Sequence, residues 1–402
     1  MSKNAKTILV PAAAIIAGVL IAAGLGLFGF FSAMWTPLHP NPDAVPSAAG
    51  VAPPPAWTAA VDKSRRDAMA GLTGNNLPGL SVAVGVNGEL VWSESFGWAD
   101  LDKRAPLTPG TRFRIGHVSK TLTSAAVGLL LETDRLDLDA EIQTYVPSFP
   151  RKEWPVTLRQ LMGHTGGVRH YENDADVMPS AHCERASDGL ASFADAPLLF
   201  EPGTQSRYST FGWILVSAAV EASAEEPFFT FIRRRIFEPL GMTATTVDGA
   251  KDAIPDRVTF YYPRFSGDPG SGPEPARTVD YSCFAGAGAF LSTPSDLVRF
   301  GLALGNGTLL KRHTVTRLQL PQLLSSGQET QFGLGWALNT VPLAGEPTRE
   351  AGHASLTLLG GSTSFLTFPE RGIVVAVTSN ISRANTRSIA LRIAEAFVDA
   401  RP

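Results

Sequence analysis

The longest apolar stretch of the chain lies at its N-terminus. Between Thr7 and Pro42 there is no Asp, Glu, Lys or Arg, and residues 8–31 are almost continuously apolar. An α-helix rises about 1.5 Å per residue, so a helix of this length covers the roughly 30 Å hydrocarbon layer of a bilayer. The pattern therefore predicts one membrane-spanning helix ahead of the rest of the chain.

Charges around this stretch predict its orientation. Lys3 and Lys6 precede it, and positive charge is usually retained on the cytoplasmic side of a membrane. We therefore expect a cytoplasmic N-terminus at residues 1–7, a single-pass transmembrane signal-anchor at residues 8–34 in the inner (cytoplasmic) membrane, and a periplasmic or extracellular remainder. The alternative is a cleaved signal peptide followed by secretion. Its apolar region is usually about 7–15 residues long, which favours the anchor.

A change of composition follows the apolar stretch. Residues 35–55 are rich in Pro, Ala and Gly, a composition typical of extended, stiff linkers. Residues 56–402 contain no second linker and no internal repeat. We therefore expect them to form one domain with two lobes.

Strand patterns occur at both ends of this domain. Near its start, two β-rich runs flank Asn87-Gly88, a dipeptide that strongly predicts a hairpin turn. Near its end, residues 362–368 and 372–380 form two more strand-like runs. Apolar residues then recur at helical spacing and predict a closing helix: Ile389, Ile393 and Phe397.

The middle of the domain is rich in predicted helices. Residues 120–133 and 211–224 carry helical patterns, and a third helix is predicted to start at Thr293, which Pro294 and the early acid Asp296 follow. Strands at both ends with helices between them predict an α+β fold. We expect an antiparallel sheet built from both chain ends, helices on its faces, and a helical lobe that leaves a cleft beside the sheet.

Composition excludes some classes of function. The chain has 34 Lys and Arg against 37 Asp and Glu, a formal net charge of −3, so no basic surplus is available for nucleic acid. The two cysteines, Cys183 and Cys283, are too few for a disulfide scaffold and too far apart for a clustered metal site. An exported domain permits one disulfide between them, but the sequence does not bring them into contact.

The first segment with candidate catalytic residues is residues 111–132. It resembles the active-site helix of the serine β-lactamase and penicillin-binding protein superfamily, in which a nucleophilic Ser and a Lys three residues later share one helix face. Lys120 matches that Lys, but His117 stands where the Ser is expected. Ser119 lies about 200° around the helix from position 117, so it does not replace the missing hydroxyl.

A second segment resembles the tyrosine motif of the same superfamily. It contains Tyr208, followed by Ser209 and Thr210. The resemblance implies that Tyr208 shuttles protons, because a phenol beside a lysine ammonium has its ionised form stabilised. Ser209 and Thr210 are the accompanying candidates for substrate binding.

A third segment resembles the substrate-binding strand of the superfamily. His353 fits the basic residue with which this motif begins. Ala354 and Ser355 stand where a hydroxyl residue and a glycine are expected, and a bulky run of residues 356–359 follows. We expect His353 to orient the substrate, and we expect the altered positions to change how substrate binds.

The resemblance covers nearly all of the chain after the linker. Within the superfamily, the chain most resembles the mitochondrial serine β-lactamase-like proteins and their bacterial relatives. It implies a β-lactamase/DD-peptidase-like fold, no cofactor, acyl-enzyme chemistry on peptide, ester or cell-wall substrates, and a homo-oligomer as one form of assembly. His117 leaves two alternatives open: an impaired hydrolase in which the imidazole acts as nucleophile or base, and an inactive pseudoenzyme that binds cell-wall peptide or scaffolds a membrane assembly.

Two other histidines are candidates for metal ligands, because imidazole is a common ligand of metals in proteins. His164 and His170 are not at i, i+4 spacing on one helix and have no cysteine nearby in the sequence. This favours structural roles over a metal site.

Overall fold

The computed structural model describes most of the chain: residues 14–27, 37–178, 181–249, 254–264, 267–355 and 360–400. The predicted membrane span is only partly included, since residues 8–13 and 28–34 lie outside the described ranges. Its described part is a helix of residues 14–27. Within the described residues, no helix has the length and apolar character needed to cross a membrane.

The longer strands lie near the two ends of the domain, and short strands of two or three residues lie between them. In chain order they are β1 (Ser47–Val51), β2 (Gly79–Val86), β3 (Glu89–Asp100), β4 (Ala105–Pro106), β5 (Phe113–Arg114), β6 (Thr246–Val247), β7 (Tyr261–Pro263), β8 (Pro273–Pro275), β9 (Phe290–Ser292), β10 (Ala337–Leu343), β11 (Glu346–Ser355), β12 (Ser362–Phe368) and β13 (Ile373–Ser379).

Helices occupy the middle and flank the strands. They are α1 (residues 14–27), α2 (Thr58–Gly74), α3 (Ser119–Leu131), α4 (Leu158–Met162), α5 (Asp174–Val177), α6 (Phe211–Ala224), α7 (Phe228–Ile232), α8 (Pro294–Gly305), α9 (Arg312–Leu318) and α10 (Thr386–Asp399). The two longest predicted internal helices correspond to α3 and α6. Thr293 caps α8 by accepting the N–H of Asp296, as the sequence predicts.

The central sheet is antiparallel and is assembled from both ends of the chain. In the described residues its main path runs β1-β3-β2-β13-β12-β11-β10, and β4 extends it beside β3. The two chain ends join where β2 pairs with β13, with Val86 opposite Ile373 and Leu80 opposite Ser379. The predicted α+β architecture is therefore confirmed for the folded domain.

The predicted hairpin joins β2 to β3. Asn87 and Gly88 form its turn with φ of 51° and 93°. Positive φ at both central positions matches the turn that best follows the twist of paired strands, and Asn-Gly is the dipeptide that tolerates it. The register of the first strand pair is therefore set by local sequence.

Both faces of the sheet are covered, which explains why β2 is buried along its whole length. On one face, Val82 and Val84 pack in a cluster with residues of α2 and α10, including Ile389 and Phe397. On the other, Ala83 packs in a cluster with α8 and with the helical lobe around α3 and α6. A cleft forms between this lobe and the C-terminal end of β11.

The folded domain begins earlier than the sequence predicts. Within the supposed linker, residues 47–51 form β1, which pairs with β3 and places Ser47 opposite Phe96. His39 Nε2 also lies 2.7 Å from the carbonyl oxygen of Leu77. An edge strand needs backbone hydrogen bonds rather than large apolar side chains, so a composition of small residues does not exclude it.

The two cysteines form a disulfide between Cys183 and Cys283, with 4.8 Å between their Cα atoms. It closes a loop of sequence separation 100. In the chain-entropy model, closing a loop of this length stabilises the folded state by about 4–5 kcal/mol. The disulfide ties the helical lobe to a turn of residues Ser282–Ala287. This turn lies very close to α3, because a Cβ on Gly286 would lie 2.0 Å from the Oγ1 of Thr123.

Candidate functional site

The start of α3 places a histidine and a lysine beside the cleft. A single 3-10 turn, Gly116–Val118, leads directly into the helix, so His117 and Lys120 lie three residues apart on continuous helical backbone. Most of α3 is buried, and Lys120 has 0% of its surface exposed. Ser119 is also buried, and its hydroxyl has no hydrogen-bond partner in the described part of the chain.

Lys120 makes hydrogen bonds to neutral groups. Its Nζ donates to the Oη of Tyr208 at 2.8 Å, and it lies 3.4 Å from both the Oγ1 of Thr210 and the carbonyl oxygen of Ala287. None of these partners carries a negative charge. A buried ammonium without a carboxylate is costly, so the neutral amine is favoured.

A chain of hydrogen bonds links two imidazoles through Lys120. The Oη of Tyr208 lies 3.4 Å from the Nε2 of His353, and the Oγ1 of Thr210 lies 3.3 Å from the Nε2 of His117. The chain therefore runs His353–Tyr208–Lys120–Thr210–His117. Such a chain can move a proton between the two sides of the cleft without any large movement.

Burial controls the protonation of this network. Burial lowers the pKa of Lys120 well below its ordinary value, and burial does the same to the pKa of His117. Burial lowers the pKa of His353 to about 3 and raises that of Tyr208 well above its ordinary value. At neutral pH the imidazoles and the phenol are therefore uncharged.

His164 and His170 have structural roles next to this network. The Nδ1 of His164 accepts the backbone N–H of Ser209, and the Nδ1 of His170 accepts that of Thr210, each at 3.2 Å. The two rings thereby fix the backbone that follows Tyr208, and the His164 ring centroid lies 4.3 Å from that of Tyr208. The described residues contain no group of three potential metal ligands. Sequence patterns had not placed these histidines beside the site.

Ser209 and Thr210, the two predicted substrate-binding residues that follow Tyr208, are both buried. Ser209 is turned into the protein, since its Oγ donates to the carbonyl oxygen of Arg169 and accepts the N–H of Gly212. These bonds support the start of α6 and leave Ser209 without a contact to the cleft. Thr210 is buried as well, and it contacts Lys120 and His117 rather than open space.

The third predicted segment forms the end of β11, on the opposite wall. His353 and Ala354 line the cleft, while Ser355 is buried. The Oγ of Ser355 accepts the backbone N–H of His117 at 3.1 Å. The structure thus brings His117, Tyr208 and His353 to one cleft, with ring centroids of His117 at 5.3 Å from Tyr208 and 6.0 Å from His353.

The cleft has a volume of about 250 Å³ and a polar wall that sequence motifs had not indicated. Glu350 is buried there, and its carboxylate accepts from Arg387 at 2.6 Å and from Asn339 at 3.1 Å. Phe332 adds an apolar surface. No local motif signals the pair of Glu350 and Arg387, because β11 and α10 meet only in the folded chain.

Comparisons with known proteins agree with this geometry. The β-lactamase family profile matches residues 64–400. The chain is 29% identical to the mitochondrial serine β-lactamase-like protein LACTB of Homo sapiens, over 80% of this chain and 76% of the relative. It is 26% identical to penicillin-binding protein 4* of Bacillus subtilis, over 68% of this chain and 62% of that protein.

Solved structures show the same fold. D-amino acid amidase from Ochrobactrum anthropi superposes with a TM-score of 0.72 at 24% identity, over 85% of this chain and 99% of the enzyme. An octameric penicillin-binding protein homologue from Pyrococcus abyssi superposes with a TM-score of 0.70 at 22% identity, over 85% of this chain and 78% of the homologue. The family match over most of the folded domain, together with the paired Lys120 and Tyr208 beside the cleft, leads to one conclusion: this chain belongs to the β-lactamase family.

Proposed function

We propose that this protein is a membrane-anchored, exported hydrolase of the β-lactamase family whose acyl-transfer activity is impaired because His117 occupies the position of the nucleophile. The observation that carries the proposal is the hydrogen-bonded chain from His353 through Tyr208 and Lys120 to Thr210 and His117. Every group needed to move protons is present, and an imidazole stands at the end of the chain.

The anchor and the exported location rest on sequence and on one structural feature. The apolar stretch of residues 8–31 follows two lysines, which favours a cytoplasmic N-terminus. Disulfides persist mainly in oxidising compartments, and Cys183 and Cys283 are bridged. Both features support a periplasmic or extracellular domain.

The proposed substrates are small acyl compounds with an ester or amide bond, including peptides and cell-wall fragments. The support comes from relatives whose names describe a penicillin-binding protein and a D-amino acid amidase. A cleft of about 250 Å³ accommodates a small acyl group and part of its leaving group.

The proposed reaction uses the neutral imidazole of His117. Its unprotonated ring nitrogen forms a bond to the carbonyl carbon, and the proton on the other ring nitrogen passes to the chain of Thr210 and Lys120. The leaving oxygen or nitrogen departs with a proton from Tyr208, and water then hydrolyses the acyl-imidazole. An equivalent route has His117 activate water directly. Removal of a nucleophilic serine typically leaves about 10³–10⁴-fold acceleration over water, so we expect slow turnover.

Two measurements on the full-length chain in mild detergent test this proposal. The first is hydrolysis of a p-nitrophenyl ester and of a D-amino-acid amide. Lys120→Ala and Tyr208→Phe are each expected to lower the rate at least about tenfold. His313→Ala removes an exposed imidazole and serves as the control. Rates that are equal in all four proteins would contradict the proposed reaction.

The second measurement is intact-mass spectrometry after incubation with a penicillin and with a fluorophosphonate. His117→Ser is expected to form a stable adduct that wild type does not, because it supplies a hydroxyl at the end of an intact proton chain. A mapped adduct on wild type would instead name its nucleophile directly.

A second candidate function is a binding protein without catalysis. The observation that favours it is the changed pair Ala354 and Ser355 on the substrate strand, with the Ser355 hydroxyl bonded to the backbone of His117. If wild type hydrolyses none of the substrates faster than its Lys120→Ala variant, this second function replaces the first.

A further inference from the structure

One hydrogen bond in the cleft joins backbone to side chain across 238 residues. The backbone N–H of His117 donates to the Oγ of Ser355 at 3.1 Å. Ser355 has 1% of its surface exposed and is held at the end of β11 by pairing with Thr363 of β12. Its hydroxyl is therefore fixed in place by the sheet rather than by a flexible loop.

The N–H of His117 has special properties because of its position. It belongs to the 3-10 turn that opens α3, where backbone N–H groups have no acceptor within their own helix. Such groups carry the positive end of the helix dipole. This N–H is therefore well suited to stabilise an oxygen that becomes negative while a bond forms at position 117.

The same N–H is already occupied by Ser355. A hydrogen bond at this position removes the donor from any bound carbonyl oxygen, and a substrate must first displace the hydroxyl. A neutral carbonyl oxygen would exchange one neutral acceptor for another and gain little. An anionic oxygen would gain a charge-assisted hydrogen bond, which is roughly twice as strong.

We propose that the Ser355 side chain occupies the oxyanion position of the cleft and thereby determines which acyl compounds and anions bind there. This inference rests on the proposed function of the cleft as an acyl-transfer site. It assigns to Ser355 a positioning role, because the residue acts through the His117 N–H and forms no bond to the substrate. Replacement of Ser355 by a residue without a hydroxyl should open the position.

The first test uses His117→Ser as a background, so that it does not depend on activity of wild type. In the reaction with a fluorophosphonate, the new serine oxygen bonds to phosphorus, fluoride leaves, and the serine proton passes to Lys120. Adding Ser355→Ala is expected to raise the labelling rate at least about tenfold, since a single oxyanion donor contributes about 10²–10³-fold.

The matched control for this test is Ser364→Ala in the same background. Ser364 is a buried serine on β12 that bonds to Thr386 rather than to His117. It should leave the labelling rate unchanged, and Ser355→Thr, which keeps a hydroxyl, should stay slow. Thermal unfolding of each variant shows which ones are folded. Equal labelling rates in folded His117→Ser with and without Ser355→Ala would overturn the inference.

The second test needs no covalent step and keeps His117. Phenylphosphonate is titrated by calorimetry into wild type and into Ser355→Ala and Ser355→Gly. Both variants are expected to bind it at least about fivefold more tightly, because its anionic oxygen then reaches a free N–H. Unchanged affinity would overturn the inference even where hydrolysis is seen. Tighter binding without any hydrolysis would support Ser355 as the occupant and reject the proposed catalysis alone.

If neither variant folds, amide hydrogen exchange of wild type provides the answer. The His117 N–H should be protected from exchange in the free protein, because it is bonded to Ser355. Rapid exchange at that amide, while neighbouring amides of α3 stay protected, would overturn the inference.

Discussion

Two buried basic side chains lie six residues apart and have very different surroundings. Arg114 on β5 has 3% of its surface exposed, and its Nε lies 2.5 Å from the carboxylate of Asp248. That carboxylate, only 1% exposed, also pairs with Arg257 at 2.9 Å. Lys120 on α3 is equally buried, but its described partners are a phenol, a hydroxyl and a carbonyl oxygen.

The contrast between Arg114 and Lys120 separates a structural basic group from a functional one in this fold. A buried cation that is paired with a carboxylate holds elements together, here β5 with the segment around Asp248. A buried amine without an acid among its described partners has its pKa lowered by burial, which favours the neutral form. Perturbed groups of this second kind are typical of functional sites.

Loss of the buried carboxylate of Asp248 should lower the free energy of unfolding more than any other change considered below. Asp248→Asn removes the buried carboxylate that Arg114 and Arg257 share, and loss of one partner of a buried ion pair typically costs about 3–5 kcal/mol. The free energy of unfolding, measured with urea, should fall by this amount. Asp67→Asn is the control, because it removes an acid that pairs with Lys63 on the exposed surface of α2, where pairs contribute about 0–1 kcal/mol. A loss for Asp248→Asn no larger than that of the control would contradict the structural role.

Acidification should change the free energy of unfolding by a smaller amount, because the unfolded chain then takes up protons at histidines that burial keeps neutral in the folded protein. Burial lowers the pKa of His353 to about 3 and that of His170 to about 4. Their value in the unfolded chain is near 6.5, so the unfolded state takes up protons first as the pH falls. The stability contribution is fully present above pH 6.5 and is lost progressively between 6.5 and the folded values.

The size of this pH effect is given by His353, the more deeply buried of the two histidines. His353 should lower the free energy of unfolding by about 1.4 kcal/mol for each pH unit below 6.5, and the partly exposed His170 by less. Urea titrations at pH 7.5, 6.5 and 5.5 measure this slope. His353→Gln should reduce the slope by close to one proton, and an unchanged slope would show that His353 does not titrate as inferred.

Sequence patterns predicted the parts of this molecule that depend on neighbours along the chain. The hairpin at Asn87-Gly88 and the cap at Thr293 are formed by contacts over a few residues, and both were found where predicted. The likeness of Lys120 and Tyr208 to known motifs identified two groups that now lie 2.8 Å apart although 88 residues separate them.

Other features depend on strand register and on helix packing, which local patterns do not encode. The bond from the N–H of His117 to Ser355 requires that β11 end beside the start of α3. The pairing of Glu350 with Arg387 requires that α10 cross β11 at one position. The edge strand β1 was missed because its small residues lie between proline-rich segments and resemble a linker, while its pairing uses backbone groups alone.

Removal of the Lys120 amine should affect stability least. Lys120→Met replaces a buried amine with an apolar chain of similar length, so the desolvation cost of the amine disappears along with its bond to Tyr208. Since no buried acid is left unpaired, the free energy of unfolding should change by less than about 1 kcal/mol or increase. Ester hydrolysis should nevertheless fall to the level of Tyr208→Phe. Arg114→Met, measured beside it, leaves the buried Asp248 with one cationic partner fewer and should be clearly destabilising. A loss of stability as large for Lys120→Met as for Arg114→Met would show that both basic side chains are structural, and the distinction between them would fail.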